Sequence, residues 1–201
     1  MKIKALMVPN PISVTPKHTI EQAIELMKIN AIRHLPVVDK ANNLIGLLTL
    51  ADLKQALIPS MLGDLTLTDM IVKRPLTVSP DDDIEIAAQI IYKHKVGGLP
   101  VTRGKMLVGI ITESDLLRAF IDMMGILSNS SRLDISVGHD SGGLNKAIEI
   151  IHHEGGDIIN VGMTAQRTTR RTYHFRLAPC NTDAIRQALE HNGFTVNALI
   201  E

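Results

Sequence analysis

Two stretches of the chain place a threonine three positions before an aspartate, each behind a glycine and two aliphatics. They are "GLLTLADL" from Gly46 to Leu53 and "GIITESDL" from Gly109 to Leu116. Thr49 with Asp52, and Thr112 with Asp115, suit two kinds of chemistry. In a capping box the threonine hydroxyl accepts from a first-turn amide, and the acid sits well against the helix dipole. In a ligand site the same helix start offers unpaired amides to a phosphate, and the carboxylate accepts both hydroxyls of a ribose. The glycine ahead of each threonine would let a ligand come close to the strand. Both readings use the same residues, and one copy alone does not separate them.

The elements around these pairs are also duplicated. Pro11, Val14, Pro16, Ile20 and Ala23 recur at one fixed spacing as Pro75, Val78, Pro80, Ile84 and Ala87, and "LPV" at Leu35–Val37 recurs at Leu99–Val101. One residue is then missing from the second copy, which brings Gly46, Thr49 and Asp52 onto Gly109, Thr112 and Asp115. So many letters in register mark a tandem duplication. Each copy reads as an extended piece ending at a proline, a helix, two β-rich runs joined by turn residues, and a second helix starting after the threonine. Thr19 with Gln22 predicts a capping box for the first helix, and Asp83 is the corresponding cap in the second copy. Ile20, Ala23, Ile24 and Met27 form one apolar helix face. A single copy is too small to bury its helices and strands well, so the two are expected to pack sheet to sheet.

The pattern Pro-x-x-Val-x-Pro, helix, Leu-Pro-Val, Gly-aliphatic-aliphatic-Thr-x-x-Asp, given twice, resembles a pair of cystathionine-β-synthase (CBS) domains over roughly residues 4 to 122. The resemblance implies a pseudo-twofold module with two clefts that take AMP, ADP, ATP or S-adenosylmethionine-like ligands. Carried onto this chain, Asp52 and Asp115 match the ribose-binding acid, and Thr49 and Thr112 the hydroxyl near the phosphates. Ser13 and Thr15, with Thr77 and Ser79, lie where the family places the adenine, and Arg33 and His34 would face phosphate oxygens. The second copy has Gly97 and Gly98 in place of Arg33 and His34, which removes a cation and adds room, with Arg103 or Lys105 as candidate substitutes. Unequal sites are expected.

Past the polar run Ser128–Ser131 the repeat stops. The remainder reads strand, helix, strand, strand, helix, strand, the ferredoxin-like order, and resembles an ACT domain. The expected fold class is therefore α/β (α+β): a CBS-domain pair of two β-α-β-β-α repeats, 1–62 and 63–127, plus a β-α-β-β-α-β ACT-like domain at 132–201. In "HDSGGL", Asp140, Gly142 and Gly143 would hold an amino-acid or other small effector at a helix start; the alternative is a tight turn with a capped helix. The "QRTTRR" run at Gln166–Arg171 is expected to decorate the turn between two strands. The arrangement as a whole is similar to the acetoin-utilisation family of bacterial regulators. It implies a homodimer meeting through helices such as "LLRAFIDMMGIL", and a partner protein that reads the bound state.

Composition narrows the classes further. Lys+Arg and Asp+Glu are balanced at 21 each, which argues against a dedicated nucleic-acid or polybasic membrane-surface protein. Aromatics make up only 2% of a chain that is 45% hydrophobic, so aliphatics and methionine must build the core. The apolar runs are too short to span a bilayer, the N-terminus lacks a secretory pattern, and the lone Cys180 forms no internal disulfide; a cytoplasmic protein is expected. His152 and His153 are adjacent on a predicted helix and point about 100° apart, so they make no metal pair. No nucleophile elbow or phosphate-loop lysine motif occurs. The reading is a non-catalytic metabolite sensor, with a structural interaction module that binds no nucleotide as the alternative.

Overall fold

The capping pair at Thr19 and Gln22 is formed. The Thr19 hydroxyl accepts from the Gln22 amide at 3.2 Å, the Gln22 side chain accepts from the Thr19 amide at 2.9 Å, and helix α1 runs Ile20–Ile29 from there. The computed structural model describes residues 1–56, 66–127, 129–137, 142–164 and 171–200. After α1 come strands β2 (His34–Val38) and β3 (Leu44–Thr49) and helix α2 (Leu50–Ala56), preceded near the N-terminus by the short strand β1 (Val8–Pro9). The second copy repeats the order: a helical turn α3 (Leu67–Met70), strand β4 (Val72–Lys73), helix α4 (Ile84–His94), strands β5 (Gly98–Arg103) and β6 (Met106–Thr112), and helix α5 (Glu113–Met123). Asp83 is the N-cap of α4 by position only. Its side chain makes no capping bond and pairs instead with Lys2 at 3.0 Å.

The repeats interlock by exchanging their leading segments. Strand β1 belongs to the first copy but pairs with β6 of the second, and β4 belongs to the second copy but pairs with β3 of the first. Two three-stranded sheets result, β1-β6-β5 and β2-β3-β4. The segment before each exchanged strand is anchored by one aliphatic. Leu67 lies in the core cluster that Val14, Ile20, Met27, Leu35 and Leu48 build. Its counterpart Ile3 is wholly buried, and the Ile3 amide donates to the Asp82 carbonyl at 3.0 Å. Burying such a side chain stabilises by about 1.5–3 kcal/mol. The hairpin tips also cross over: the Leu44 amide donates to the Lys105 carbonyl at 2.8 Å, and the Leu107 amide to the Asn42 carbonyl at 3.0 Å.

This exchange gives Gly46 and Gly109 a different role from the one expected. Gly46 pairs with Lys73 on β4, and a Cβ there would overlap the Ile71 side chain and reach the Val72 carbonyl at 3.1 Å. Gly109 pairs with Pro9 on β1, and a Cβ there would meet the Met7 side chain and the Val8 carbonyl at 3.2 Å. The space beside each glycine is taken by the exchanged segment, not left for a ligand.

The chain divides into two compact units, Met1–Leu117 and Arg118–Glu201, with the division inside α5. The second unit contains strand β7 (Ser131–Val137), helix α6 (Gly143–His153), strands β8 (Ile158–Thr164) and β9 (Arg171–Leu177), helix α7 (Thr182–His191) and strand β10 (Thr195–Ile200). The sheet order β10-β7-β9-β8 with antiparallel neighbours realises the expected ferredoxin-like order. Leu133, Ile135, Tyr173 and Phe175 from the sheet pack against Ala147, Ile151, Ile185 and Leu189 from the helices. Alternation along β7 and β9 sends Arg132, Asp134, Thr172, His174 and Arg176 to the other face. The expected repeat boundary at 62/63 lies outside the described residues, as do Ser128 of the expected linker and Gln166–Arg170 of the basic run; Ser131 already belongs to β7.

The two glycines predict unequal costs. Ile71 is β-branched and stiff, whereas Met7 is unbranched and yields. Gly46→Ala should therefore destabilise by about 1–3 kcal/mol and Gly109→Ala by less, read as urea midpoints by circular dichroism; the reverse order would contradict the exchange geometry.

Candidate functional site

Each Thr-x-x-Asp pair sits where a strand runs straight into a helix. Thr49 ends β3 and α2 begins at Leu50; Thr112 ends β6 and α5 begins at Glu113. The Thr49 hydroxyl donates to Asp52 Oδ2 at 2.6 Å, and the Asp52 amide donates back to the Thr49 oxygen at 3.2 Å. Thr112 repeats this at 2.7 Å and 3.4 Å, and its own amide also donates to Asp115 Oδ2 at 2.8 Å. The bonds that the two carboxylates accept all fall on Oδ2. Among the described residues none falls on Oδ1 of either aspartate, so each carboxylate keeps an acceptor while its helix is capped.

Thr112, Ser114 and Asp115 form one wall of a cavity of about 290 Å³. The opposite wall comes from the first copy, with Ala31, Ile32, Arg33 and His34, and the rim from the exchanged segment, with Val8, Pro11 and Ile12. Ala31 holds a left-handed backbone at φ 53°, and its counterpart Lys95 does so at 56°. That turn ends the preceding helix and sets the chain along the cavity wall. Val8 and Ile12 are 49% and 38% exposed, and their counterparts Val72 and Leu76 are 45% and 42% exposed. Exposed aliphatics at matched positions in both copies suit the flat face of an apolar ring. This rim was not among the expected site residues. The signal was present in the sequence, because Val8 recurs as Val72 and Ile12 as Leu76 in the repeat register.

The asymmetry at Gly97 and Gly98 has a steric origin. A Cβ on Gly97 would come within 2.9 Å of His34 Nε2, and one on Gly98 within 3.3 Å of the His34 ring. The room left by the glycines of one copy is filled by the imidazole of the other. His34 pairs with Thr49 across its hairpin and Gly98 with Thr112, so the ring lies between the two threonines. It borders a second cavity of about 410 Å³ as well, whose walls include Thr49, Ala51, Lys54 and Glu113. Burial lowers the His34 pKa from its ordinary value, the neighbouring Arg33 charge lowers it further, and Glu113 opposes both.

The other expected residues are placed as follows. Pro11 and Ile12 line the first cavity where Ser13 and Thr15 were expected. The Thr15 amide donates to His18 Nδ1 at 3.2 Å, in a local turn. Thr77 is exposed, and the Ser79 amide donates to Asp82 at 2.7 Å in the turn before α4. Asp52 caps α2 but lines neither cavity, while Arg103 and Lys105 sit at the two sides of the β5–β6 turn. In the second unit Asp140 lies outside the described residues, Gly142 is the N-cap of α6, and Gly143 is buried where a Cβ would overlap the Val137 side chain. Burial raises the pKa of the Cys180 thiol. Among the described residues no helix is long and apolar enough to cross a membrane, and no group of three or more His, Cys, Asp or Glu is placed to hold a metal ion.

Residues 3–59 and 67–122, more than half of the chain, match the CBS domain. Three solved structures share this part of the fold. A protein from Vibrio cholerae assigned to acetoin utilization is 33% identical, with a TM-score of 0.56, over 61% of this chain and 92% of that one. A CBS domain pair in complex with 5-methylthioadenosine and S-adenosyl-L-methionine is 26% identical, with a TM-score of 0.56, over 60% and 95%. A structure of CBSX2 in complex with AMP is 28% identical, with a TM-score of 0.54, over 61% and 97%. Among curated proteins, a homoserine O-acetyltransferase from Methanocorpusculum labreanum is 32% identical over 118 residues, 58% of this chain and 23% of the relative. The chain thus spans about a quarter of the length of the first curated relatives it matches.

His34 carries a pH signature. An unfolded chain protonates this histidine near pH 6.5, whereas burial and Arg33 keep it neutral in the fold to lower pH. The unfolded state therefore binds the proton first, so its contribution is intact above that value and is lost as pH falls through the lowered folded pKa. Comparing urea midpoints at about pH 7.5 and about pH 5.5, His34→Gln should show a smaller acid-side loss than the wild type; an identical loss would mean that the ring is already charged in the fold.

Proposed function

Because the chain belongs to the CBS-domain family, we propose that its repeat pair is a non-catalytic sensor of adenine nucleotides. The observation that carries this reading is the Thr112–Asp115 box opening onto a cavity whose far wall is Arg33 and His34 and whose rim is aliphatic. In this reading Asp115 accepts the ribose hydroxyls and Thr112 and the start of α5 meet the phosphates, with Arg33 across the cavity as the cationic partner and His34 beside it as a neutral hydrogen-bonding ring. The base lies on the Pro11–Thr15 stretch, against Val8 and Ile12. The second cleft uses Asp52 and Thr49 with Thr77 and Ser79 on the matching stretch. Gly97 and Gly98 supply it with no cation of their own. Arg33 and Lys54 border its cavity, but Glu113 offsets them and Asp52 lies off it, so it is the weaker of the two. AMP, ADP, ATP and S-adenosylmethionine-like ligands all carry the adenosine this geometry fits.

The likeness to the acetoin utilization protein supports placing the sensor in cytoplasmic control of acetoin or related carbon metabolism. The C-terminal unit is read as an ACT-like module for an amino acid or another small effector, with the stretch from Asp140 through Gly142 and Gly143 as its contact. Signalling then works by population shift: nucleotide favours one arrangement of the repeats to the extent that it binds that arrangement better, and a protein partner reads the difference. A homodimer is part of the proposal, supported by Phe120 and Met123, each 55% exposed on α5.

One observation favours the second reading, a structural module without nucleotide. The Thr112 box is complete with protein atoms alone, and at Thr49 the hydroxyl already bonds both the Asp52 carboxylate and the Asp52 amide. Calorimetry with AMP, ADP, ATP and S-adenosylmethionine separates the two. Losing a hydrogen bond to the Asp115 carboxylate costs about 1.5–3 kcal/mol, roughly ten- to a hundredfold in Kd. Asp115→Ala should therefore show that loss at the tighter site, and Asp52→Ala should affect only the weaker one. Affinity indifferent to both changes would remove the assigned roles. For the dimer, light scattering should return twice the chain mass, and a monomer at micromolar concentration would overturn it.

A further inference from the structure

The bare face of the second unit's sheet is unusually polar and partly enclosed. Asp134 is 9% exposed, and Arg132 grips it with a two-pronged fork, Nε to Oδ1 at 2.8 Å and Nη2 to Oδ2 at 2.7 Å. His174 Nδ1 meets the same carboxylate at 2.8 Å, while its Nε2 meets the Thr164 hydroxyl at 2.7 Å. Burial pushes the Asp134 carboxyl up, but the hydrogen bonds and charges of Arg132 and His174 outweigh it and hold its pKa below the ordinary value. The network is thus a fixed platform: an ionised aspartate cancels one guanidinium, and the imidazole has both nitrogens engaged.

Beside this platform lies a cavity of about 160 Å³, with Arg132, Asn160, His174 and Arg176 on the sheet side and Met124 and Ile126 closing over it. The Asn160 amide donates to the Met123 carbonyl at 2.9 Å, and Arg176 Nη1 to the Ser130 hydroxyl at 3.2 Å, so both side chains are oriented. Among the described residues no carboxylate pairs with Arg176. The wall therefore carries one uncompensated positive charge in fork geometry, opposite two apolar side chains, the adaptable Met124 and the stiffer Ile126.

We propose that this pocket binds a short-chain carboxylate of about six non-hydrogen atoms, the size of guest that a cavity of about 150 Å³ holds. The carboxylate pairs with the Arg176 guanidinium, with the unused Nη1 of Arg132 beside it, and the hydrocarbon end packs on Met124 and Ile126. Asp134 and Thr164 position Arg132 and His174 and do not line the cavity, while the His174 ring forms part of its wall. This site is separate from the α6 start around Gly142 and does not depend on nucleotide binding by the repeats.

The test is calorimetry on the full chain with sodium isobutyrate and with isobutyramide, its neutral counterpart. Isobutyrate should bind saturably and at least tenfold more tightly than the amide. Arg176→Gln should weaken it at least tenfold, and Arg176→Lys, which keeps the charge but not the fork, should weaken it less. Asn160→Asp, which adds a negative charge at the wall and removes the bond to the Met123 carbonyl, should weaken isobutyrate by a larger factor than it weakens the amide. Asp115→Ala should leave isobutyrate binding intact, which keeps this outcome apart from that of the nucleotide reading. Absence of saturable isobutyrate binding, equal affinity for the amide, or indifference to both Arg176→Gln and Asn160→Asp would each overturn the proposal.

Discussion

Everything in the first unit depends on the reciprocal docking of two leading segments. Ile3 and Leu67 each bury an aliphatic side chain at the head of a strand that pairs with the other repeat. Neither three-stranded sheet is complete without its visitor. The same crossing places Val8, Pro11 and Ile12 at the rim of a cavity whose walls belong to both copies. Close packing at the crossing leaves no room for a side chain at Gly46 or Gly109, and the glycine of the repeated motif follows from that contact.

The capping residues illustrate how a structural role can leave room for a proposed recognition role on the same side chains. Thr49 and Thr112 satisfy first-turn amides that would otherwise be unpaired, and their hydroxyl protons go to one oxygen of the neighbouring carboxylate. Because that leaves the other oxygen available, a ligand need not break the cap to use the acid. The helix start is thus capped by protein atoms without any ligand, and a ligand bound there would meet a preorganised wall.

Periodic and punctuating signals made most of the fold legible in the sequence. The order of elements in the second unit follows from alternation in β7 and β9 and from helical spacing in α6 and α7. Of the duplicated Thr and Asp, Thr49, Thr112 and Asp115 border cavities, whereas Asp52 does not. Strand exchange was not legible, because β1 and β4 are two residues each, too short to leave a pattern, and their pairing is a property of three dimensions. Asp83 illustrates a second limit: a cap residue by type and position can still spend its carboxylate on Lys2. The polar network around Asp134 was missed because Arg132, Asp134, His174 and Thr164 come from three strands and look like ordinary solvent-facing residues one strand at a time.

The histidine lodged against Gly97 and Gly98 has a consequence for how a duplicated chain can evolve. A Cβ at Gly97 or Gly98 would crowd the His34 ring, so a side chain there and this imidazole compete for one space. One copy must yield, and the pair of glycines is the form that yielding takes. The resulting site has the His34 ring bordering both of its cavities. Whatever charge enters either one, the same lone proton is the only one that ring can answer with.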